Sequence, residues 1–248
     1  MTTQQTLIIG ASSDIGMAIA KQVQTDKNTG LLLISRNFKH ADMQTSVTNS
    51  PQVTKIRVKD YQPQSIDHAI TQLAQHNQAP ITRVFVCNGI LHNDTIKPEK
   101  RLEDFDAQSF IQVMTSNTLT PMLWIQKLTP LLTGKSPCTF VLFSARVGSI
   151  SDNRLGGWYS YRASKAALNM MIKTAAIELA RRAKNIKLIA FHPGTTDTPL
   201  SKPFQKNVPE NKLFSAEFVA KQLLDIVENT PIDQSPSYLD WQGETINW

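Results

Sequence analysis

The sequence predicts a three-layer α/β/α fold, in which helices cover both faces of a doubly wound, mainly parallel sheet of about seven strands. Three observations predict this fold. Short apolar runs with β-favouring residues alternate with runs of helical periodicity along the chain. The first apolar run leads through a turn of small residues into a helix. The length of 248 residues suits one such domain, spanning 1–248, with a sizeable core.

The first strand and the first helix flank a turn of small residues. Residues 6–9 are apolar and favour a strand, residues 10–16 form the turn, and apolar residues recur at helical spacing over 15–23. Such an arrangement seats the pyrophosphate of a dinucleotide on a helix N-terminus, because small residues let backbone amides approach the phosphates. An ordinary turn with a serine or aspartate helix cap is the alternative that this segment leaves open.

The later elements follow in order along the chain. Apolar runs at 31–34, before 58–60, at 84–89 and before Pro193 predict further strands. The segment 43–52 is rich in Ser, Thr, Asn and Gln and predicts a polar loop before the third strand. Helices are predicted to begin near Tyr161 and near Ser215, and a proline-punctuated segment at 198–214 precedes the second of them.

Tyr161 and Lys165 are the first candidate catalytic residues. Residues four apart share a helix face, so the phenol and the amine can converge on one bound molecule. A nearby cation stabilises a phenolate, and tyrosine needs such help to exchange protons at neutral pH because its usual pKa is about 10. Alone, the pair is more typical of a solvated helix surface than of a catalytic site.

Composition excludes several classes of function. The formal charge of +6 would suit nucleic-acid binding, but the basic residues are scattered and no basic stripe is interleaved with aromatic residues. Their longest cluster, at 181–184, complements the dipole at a helix end. There is no apolar run of membrane-spanning length, and the first strand leaves no room for a signal peptide. With Cys87 and Cys138 in or beside core strands, we expect a reduced, cytoplasmic protein.

These motifs, in this order, resemble the short-chain dehydrogenase/reductase family over nearly the whole chain, which implies a Rossmann-type sheet. The turn at 10–16 matches the family's Thr-Gly-x-x-x-Gly-x-Gly pattern, with Ile9 in place of threonine and Asp14 in place of the middle glycine. Asp14 suits a helix cap, but a carboxylate near phosphates is unfavourable unless it points away. Residues 86–89 are a variant of the family's Asn-Asn-Ala-Gly segment, with Cys87 and Asn88 as the departures.

The resemblance implies a nicotinamide cofactor with Asp60 near its adenine ring and Thr198 at its nicotinamide end. Enzymes that prefer NAD commonly carry an acid just after the second strand, where this chain has Ser35 and Arg36. A guanidinium can hold a 2′-phosphate, so we expect NADP(H). The cofactor-binding residues implied are Gly10, Ser12, Ser13, Asp14, Ile15, Gly16, Ser35, Arg36, Asp60, Asn88, Gly89, Tyr161, Lys165, Pro193, Gly194, Thr196 and Thr198.

The resemblance also implies the catalytic residues. Tyr161 would donate the proton to a carbonyl that receives a hydride from NADPH, and would act as the base in the oxidative direction. Lys165 would lower the phenol pKa and contact the nicotinamide ribose, with Asn117 supporting a water in the proton relay. The family's serine lies three residues before a glycine and about thirteen before the tyrosine. Counting back from Gly148 gives Ala145 and counting back from Tyr161 gives Gly148, which implies an insertion of about three residues. We predict the adjacent Ser144, with Ser149 as the alternative; without either hydroxyl, another donor must polarise the carbonyl or the reductase is slow.

Residues 146–165 and the C-terminal 240–248 resemble the branch of C-factor-like signalling proteins and animal carbonyl reductases. We therefore expect an oxidoreductase acting on a small carbonyl or alcohol, with a low-turnover, cofactor-binding signalling protein as the alternative. An extended-branch epimerase or dehydratase would need a C-terminal domain for which the chain is too short. The segment 198–214 would act as a lid, with Trp158, Leu200 and Phe204 forming an apolar substrate pocket and His92 at its rim. Such a pocket favours an apolar aldehyde, ketone or quinone.

The family also implies a homodimer, with a tetramer as the alternative, through the helices that carry Asn117 and Tyr161. Small and flexible apolar residues on the second helix suit close packing there, although a core role is expected for most of them. These residues are Ala166, Ala167, Met170, Met171 and Ala175. We expect no metal, nucleic-acid or membrane partner.

Overall fold

Seven parallel strands form one sheet in the computed structural model, which describes residues 2–38, 52–76 and 78–248. The polar loop expected at 43–52 lies outside these ranges, apart from Gln52. The sheet strands are β1 (Gln4–Ile9), β2 (Thr29–Ser35), β3 (Val53–Arg57), β4 (Ile81–Val86), β5 (Cys138–Phe143), β6 (Ile186–His192) and β9 (Ser237–Asp240). A separate parallel pair consists of β7 (Thr195–Thr196) and β8 (Leu213–Phe214).

The strand order is β3-β2-β1-β4-β5-β6-β9, so the chain runs outward to one edge and returns to the centre before building the other half. Helices cross between these strands: α1 (Asp14–Val23), α2 (Pro63–Gln75), α3 (Ala107–Met114), α4 (Thr120–Leu132), α5 (Tyr159–Arg182) and α6 (Ala216–Asn229). The predicted doubly wound, mainly parallel α/β sheet is therefore confirmed.

Alternate residues of the central strands pack on opposite faces of the sheet. Leu7, Val84 and Leu142 belong to a core shared with α2, α4 and α5. Ile8, Phe85 and Val141 belong to a second core shared with α1 and α6. The strands read as continuous apolar runs because both faces of a parallel sheet are buried.

The reversal of strand order between β1 and β4 leaves a crevice at the carboxyl ends of the strands, where ligands of doubly wound sheets bind. The segment 198–214 lies beside this crevice and contains β8 and two short 3₁₀ turns, Lys202–Asn207 and Glu210–Lys212. Within the described residues, no helix is long and apolar enough to cross a membrane, and both cysteines are free.

The outer face of α5 departs from expectation. Met170 is 64 % exposed and Met171 is 41 % exposed, so the core role expected for most of the apolar residues there is wrong for these two. Ala166 and Ala167 are half-buried, and Ala175 packs against the core. The helix therefore carries an apolar strip that its own sheet does not cover.

Candidate active site

A cavity of about 550 Å³ lies at the carboxyl ends of the strands. Its wall runs from the first turn of α1 past the end of β4 and the end of β5 to α5 and the lid segment. The residues predicted for the site that line it are Ser12, Ser13, Asp14, Ile15, Asn88, Gly89, Ser144, Trp158, Tyr161, Lys165, Pro193, Gly194, Thr196, Thr198, Leu200 and Phe204. Gly10, Gly16, Ser35, Arg36, Asp60 and Asn117 are outside that lining.

The turn between β1 and α1 is built for a close backbone approach. Gly10 has a φ of +74°, which favours glycine, and a Cβ there would lie 3.1 Å from the backbone nitrogen of Asn88. A Cβ on Gly16 would lie 2.8 Å from the carbonyl oxygen of Gly10. Side chains are therefore excluded at both ends of the turn, and residues 12–15 between them line the cavity.

The helix cap is a correction to the sequence analysis. Ser13, not Asp14, caps α1, because the Ser13 Oγ accepts a hydrogen bond from the Gly16 amide at 3.2 Å. Asp14 is the first helical residue and lines the cavity. An acidic side chain thus adjoins the place where a pyrophosphate is expected, with the positive end of the helix dipole offsetting part of the repulsion.

The residues present fit a dinucleotide at this turn. The amide Nδ2 of Asn88 donates to the carbonyl oxygen of Ser116 at 3.0 Å, while its buried Oδ1 has no partner in the described part of the chain. Gly89 leaves its part of the cavity wall without a side chain, and a Cβ there would lie 3.7 Å from the Lys165 Nζ. The unpartnered Asn88 oxygen suits a hydroxyl or amino donor on a ligand, and the helix N-terminus beside it suits a phosphate, so together they fit a dinucleotide.

A basic corner lies at the end of β2, beyond the cavity. The Arg36 guanidinium lies 5.4 Å above the ring of Tyr61. Burial raises the pKa of the Tyr61 phenol to about 12, so the ring stays neutral. The Arg57 Nε donates to the Arg36 carbonyl oxygen at 3.4 Å, which adds a second guanidinium that the sequence analysis missed. Its position opposite Ser35 in the register of β2 and β3 is the signal that could have found it.

Ser35 and Asp60 are both engaged within the protein. The Ser35 hydroxyl lies 2.6 Å from the Ser12 hydroxyl and donates to the Asn37 carbonyl oxygen at 2.9 Å, which ties the turn to the end of β2. The Asp60 Oδ1 accepts from the Ser65 hydroxyl and from the Gln62 amide, and these hydrogen bonds lower its pKa. Asp60 thus holds the start of α2, and its expected place near an adenine ring stays a prediction.

Tyr161 and Lys165 lie together in the cavity wall on the first two turns of α5. Lys165 is only 3 % exposed; its Nζ donates to the Phe143 carbonyl oxygen at 2.8 Å and lies 5.6 Å from the Tyr161 ring centroid. Burial lowers the pKa of Lys165 to about 8. Burial raises the pKa of the Tyr161 phenol above its usual value. Desolvation of the phenolate dominates here, and the expected lowering of the phenol pKa by Lys165 stays a prediction.

Asn117 occupies a break between two helices. Residues Thr115–Leu119 form a single π-helical turn between α3 and α4, a feature frequent at functional sites. The Asn117 Oδ1 accepts from the Ile90 amide at 2.7 Å, and its Nδ2 donates to the Ile90 carbonyl oxygen and to the Ser164 hydroxyl. The side chain is fully buried, so it fixes the loop after β4 against α5, and its role in a proton relay stays a prediction.

The serine prediction does not fit the structure. The Ser144 hydroxyl donates to the Asn169 Oδ1 at 2.6 Å and the residue is only 4 % exposed, so this hydroxyl is committed to α5. Ala145 follows it in extended backbone and also lines the cavity, at the position to which counting back from Gly148 leads. Successive side chains of an extended segment point to opposite sides, so the Ser144 hydroxyl cannot reach the place that the side chain of the next residue faces.

His192, at the end of β6, is a cavity residue that the sequence analysis missed. Burial lowers its pKa to about 4, with Arg146 adding to the effect, so the imidazole is neutral near pH 7. Its Nδ1 is buried without a partner among the described residues. Its place directly before Pro193-Gly194 is the only sequence signal that could have singled it out.

The Pro-Gly loop and the lid complete the cavity. Gly194 has a φ of +71°, and a Cβ there would lie 2.7 Å from the Phe214 ring, so only glycine fits. The Thr196 hydroxyl donates to the Pro193 carbonyl oxygen at 3.5 Å, and the Thr198 hydroxyl donates to the Thr196 carbonyl oxygen at 3.4 Å. Thr198 therefore has a weak intramolecular bond that a ligand can replace.

Aromatic side chains form the pocket wall next to Tyr161. The Trp158 ring centroid lies 6.1 Å from that of Tyr161 and 5.0 Å from that of Phe204, edge-on in both cases. His92 fixes the lid: its Nε2 lies 3.2 Å from the carbonyl oxygens of Pro199 and Leu200, and its ring packs on Phe204. The predicted substrate pocket residues are thus brought together, while His92 contacts the lid and is not part of the cavity lining.

Comparison with known proteins agrees with this geometry. The family model for short chain dehydrogenases matches residues 4–209. The 1-hydroxy-2-glutathionyl-2-methyl-3-butene dehydrogenase of Rhodococcus sp. (strain AD45) is 27 % identical over 243 residues, which cover 98 % of each protein. The C-signal protein of Myxococcus xanthus is 26 % identical over 147 residues, which cover 59 % of this chain and 83 % of that protein.

Two solved structures share the fold. The carbonyl reductase Sniffer of D. melanogaster has a TM-score of 0.85 at 18 % identity, covering 99 % of this chain and all of that one. The NADPH-bound carbonyl reductase from chicken fatty liver has a TM-score of 0.82 at 20 % identity, with complete coverage of both chains. The expected resemblance to C-factor-like proteins and carbonyl reductases is confirmed.

Proposed function

This chain belongs to the short-chain dehydrogenase family, and from that membership we propose that it is an NADP(H)-dependent oxidoreductase that reduces a small, apolar carbonyl. One observation carries the proposal: the buried pair Tyr161 and Lys165 lines the same cavity as the N-terminal turn of α1. A proton donor and a dinucleotide seat thereby share one crevice, which carbonyl reduction requires.

The preference for NADP(H) rests on the basic corner at the end of β2. Arg36 stands where an NAD enzyme carries an acid, and Arg57 contacts its backbone from the neighbouring strand. Two guanidinium groups favour an additional phosphate and offer no acceptor for a ribose 2′-hydroxyl. The NADPH-bound carbonyl reductase from chicken fatty liver shares this fold and supports the same choice.

The chemistry of this chain's own residues follows from the cavity wall. When bound, the nicotinamide supplies the hydride to the substrate carbonyl carbon. Tyr161 holds the proton that the carbonyl oxygen receives, because its raised pKa keeps it protonated at neutral pH. Lys165 keeps a positive charge beside the phenol up to about pH 8, which stabilises the phenolate left after proton transfer. Trp158 and Phe204 exclude water from this step.

The carbonyl oxygen then has one hydroxyl partner, Tyr161, where the family expects two. Ala145 takes the serine position and Ser144 is bonded to Asn169. A missing donor to a developing oxyanion costs about 2–4 kcal/mol of transition-state stabilisation. We therefore propose a slow reductase.

The alternative function is a cofactor-binding signalling protein with little turnover. Two observations favour it: the serine position holds Ala145, and C-signal of Myxococcus xanthus is among the relatives. Both functions require the same dinucleotide seat, so they differ in turnover and not in cofactor binding.

We also propose that two copies associate through α5 and the neighbouring helices. Met170 and Ile177 of α5 and Ile111 of α3 are more than half exposed, and such apolar residues on adjacent helices suit a self-complementary interface. Sedimentation of the purified protein tests this: a dimer supports it, and a monomer at all concentrations contradicts it.

One cuvette experiment tests the function. NADPH and NADH are titrated by nicotinamide fluorescence, and small aldehydes, ketones and quinones are then added. The reductase proposal predicts tighter NADPH binding and its oxidation by apolar carbonyls. Tight binding without oxidation supports the signalling alternative, and absence of binding contradicts both.

A further inference from the structure

A buried acid lies at the start of the helix that carries Tyr161. Glu99, in the loop after β4, is only 3 % exposed although its neighbours in sequence include Lys97, Lys100 and Arg101. In the described part of the chain, no lysine or arginine pairs with its carboxylate. A buried charge without an ionic partner is costly unless hydrogen bonds and dipoles replace its water.

Hydrogen bonds from the first turn of α5 supply that replacement. The Ser160 amide donates to both carboxylate oxygens of Glu99, at 3.3 and 3.2 Å, and the Ser160 hydroxyl donates to Oε1. The helix has no side-chain cap of its own, because its N-cap residue is Trp158. Glu99 therefore acts as the missing cap from a distant loop, and the positive end of the helix dipole stabilises its charge.

The chain entering α5 has an unusual conformation that the same contacts hold in place. Gly156, Gly157 and Trp158 have φ values of 64°, 65° and 53°, a left-handed run that is strained for tryptophan. The Trp158 amide donates to the Glu99 carbonyl oxygen. From the other side, Arg162 donates to the carbonyl oxygens of Gly157 and Gly156.

This conformation decides where the Trp158 ring lies. With Trp158 in the left-handed region, its ring packs edge-on against both Tyr161 and Phe204 and lines the cavity. Backbone strain at one residue persists only when its surroundings enforce it. The Glu99 carboxylate adds to the backbone contact on Trp158 and to the Arg162 contacts, because it bonds residue 160, between Trp158 and Tyr161.

We propose that Glu99 is a positioning residue that sets substrate specificity: its carboxylate holds Trp158 as the apolar wall beside Tyr161. The inference rests on the proposed function, since Trp158 is taken as a substrate contact. Loss of the carboxylate frees the Trp158 ring to move. Substrates that pack on this ring should then lose more affinity than substrates that do not. In the described part of the chain, no hydrogen bond joins Glu99 to the turn before α1, so we expect the dinucleotide seat to be unaffected.

The test compares Glu99→Gln with Glu103→Gln, a matched control that removes the same charge from an exposed site on the same loop. Benzaldehyde, whose ring would pack against Trp158, is compared with acetaldehyde, which has no ring to pack there. For Glu99→Gln we expect KM for benzaldehyde to rise about 10-fold, with less than about a 3-fold change for acetaldehyde and an unchanged NADPH Kd. Glu103→Gln should match the wild type throughout.

A second variant keeps the test decisive if Glu99→Gln does not fold. Ser160→Ala removes only the hydroxyl donor and keeps the amide contact, so we expect KM for benzaldehyde to rise about 3-fold with acetaldehyde unchanged. Equal losses for both aldehydes, or no loss in either variant, would overturn the inference.

Amide hydrogen exchange separates this inference from the proposed function, because it needs no turnover. Exchange at Ser160 should quicken about 10-fold or more in Glu99→Gln and not in Glu103→Gln. If the wild type reduces neither aldehyde, the proposed function fails. Faster exchange in Glu99→Gln would still show that the Glu99 carboxylate holds the start of α5. Unchanged exchange at Ser160 in Glu99→Gln would refute this positioning role of Glu99, even if the enzyme is active.

Discussion

Restoring a serine at position 145 should accelerate the reductase. The Ala145 side chain lines the cavity, and its backbone is extended, with φ −154° and ψ 144°, so serine enters without strain. Two hydrogen bonds fix the Ala145 carbonyl oxygen, one from the Tyr238 hydroxyl at 2.6 Å and one from the Gly148 amide at 2.8 Å. A new hydroxyl would therefore project from a rigid position toward the carbonyl that Tyr161 protonates.

The expected magnitude follows from the charge on its partner. A hydrogen bond to a charged group contributes about 1.5–3 kcal/mol, and placing one free hydroxyl rotamer costs at most about 1 kcal/mol of this. The remaining ~0.5–2 kcal/mol corresponds to an increase in kcat of about 2- to 30-fold for Ala145→Ser. The NADPH Kd should stay within about 2-fold, because the hydroxyl acts only on the reacting carbonyl.

The assay is single-turnover oxidation of bound NADPH, which isolates the chemical step from product release. Ser144→Ala is the matched control: it should leave the chemical step unchanged and lower the free energy of unfolding by about 1–3 kcal/mol, because the buried Asn169 Oδ1 loses its donor. If Ser144→Ala abolishes turnover and Ala145→Ser does not increase it, Ser144 is the catalytic serine after all and our interpretation of the strand end is wrong.

Three further predictions concern the cofactor seat and the cavity. Arg36→Glu should weaken NADPH binding about 10- to 100-fold and leave NADH within a few-fold, and fluorescence titration that found both cofactors weakened alike would remove Arg36 from the 2′-phosphate. Asp14→Asn should strengthen NADPH binding about 3- to 10-fold by removing a like charge, whereas weaker binding would show that the carboxylate helps. Between pH 6.5 and about 4, His192 is protonated in the unfolded chain but stays neutral in the folded one. The free energy of unfolding should therefore decrease as the pH is lowered through this range. His192→Gln should flatten that decline by up to about 3 kcal/mol in urea unfolding, and an unchanged slope would contradict the burial of this histidine.

The fold and most of the cavity wall could be predicted because their signals are local. The glycines at 10 and 16 mark a turn without room for side chains, and the spacing of Tyr161 and Lys165 fixes their common helix face. Each of these depends only on the residue and its immediate neighbours. The parallel sheet follows in the same way from apolar runs that alternate with helical ones.

The catalytic serine could not be located from the sequence, because the side of the strand on which its side chain lies depends on where β5 ends. Counting from Gly148 and counting from Tyr161 lead to different positions, since residues are inserted between them. A one-residue difference turns a side chain to the other side of the strand. Both Ser144 and Ala145 line the cavity, and the hydrogen bond from Ser144 to Asn169 shows that the Ser144 hydroxyl is engaged with α5.

The placement of Glu99 and Asn117 could not be predicted from the sequence, because it depends on contacts between distant segments. Glu99 lies among basic residues and is typical of a solvated loop charge, yet it is buried against Ser160, which is 61 residues away. Asn117 lies in a π-helical turn between α3 and α4, and its side-chain amide bonds Ile90 in the loop after β4. Local periodicity carries no information on either contact.

In the proposed function, the Tyr161 hydroxyl transfers the proton in carbonyl reduction. Tyr161→Phe removes one buried oxygen and keeps the ring that packs on Trp158. Single-turnover oxidation of NADPH by an apolar carbonyl should fall about 10³-fold or more, while the NADPH Kd changes by less than about 3-fold. Turnover within about 10-fold of the wild type at unchanged NADPH affinity would contradict the account.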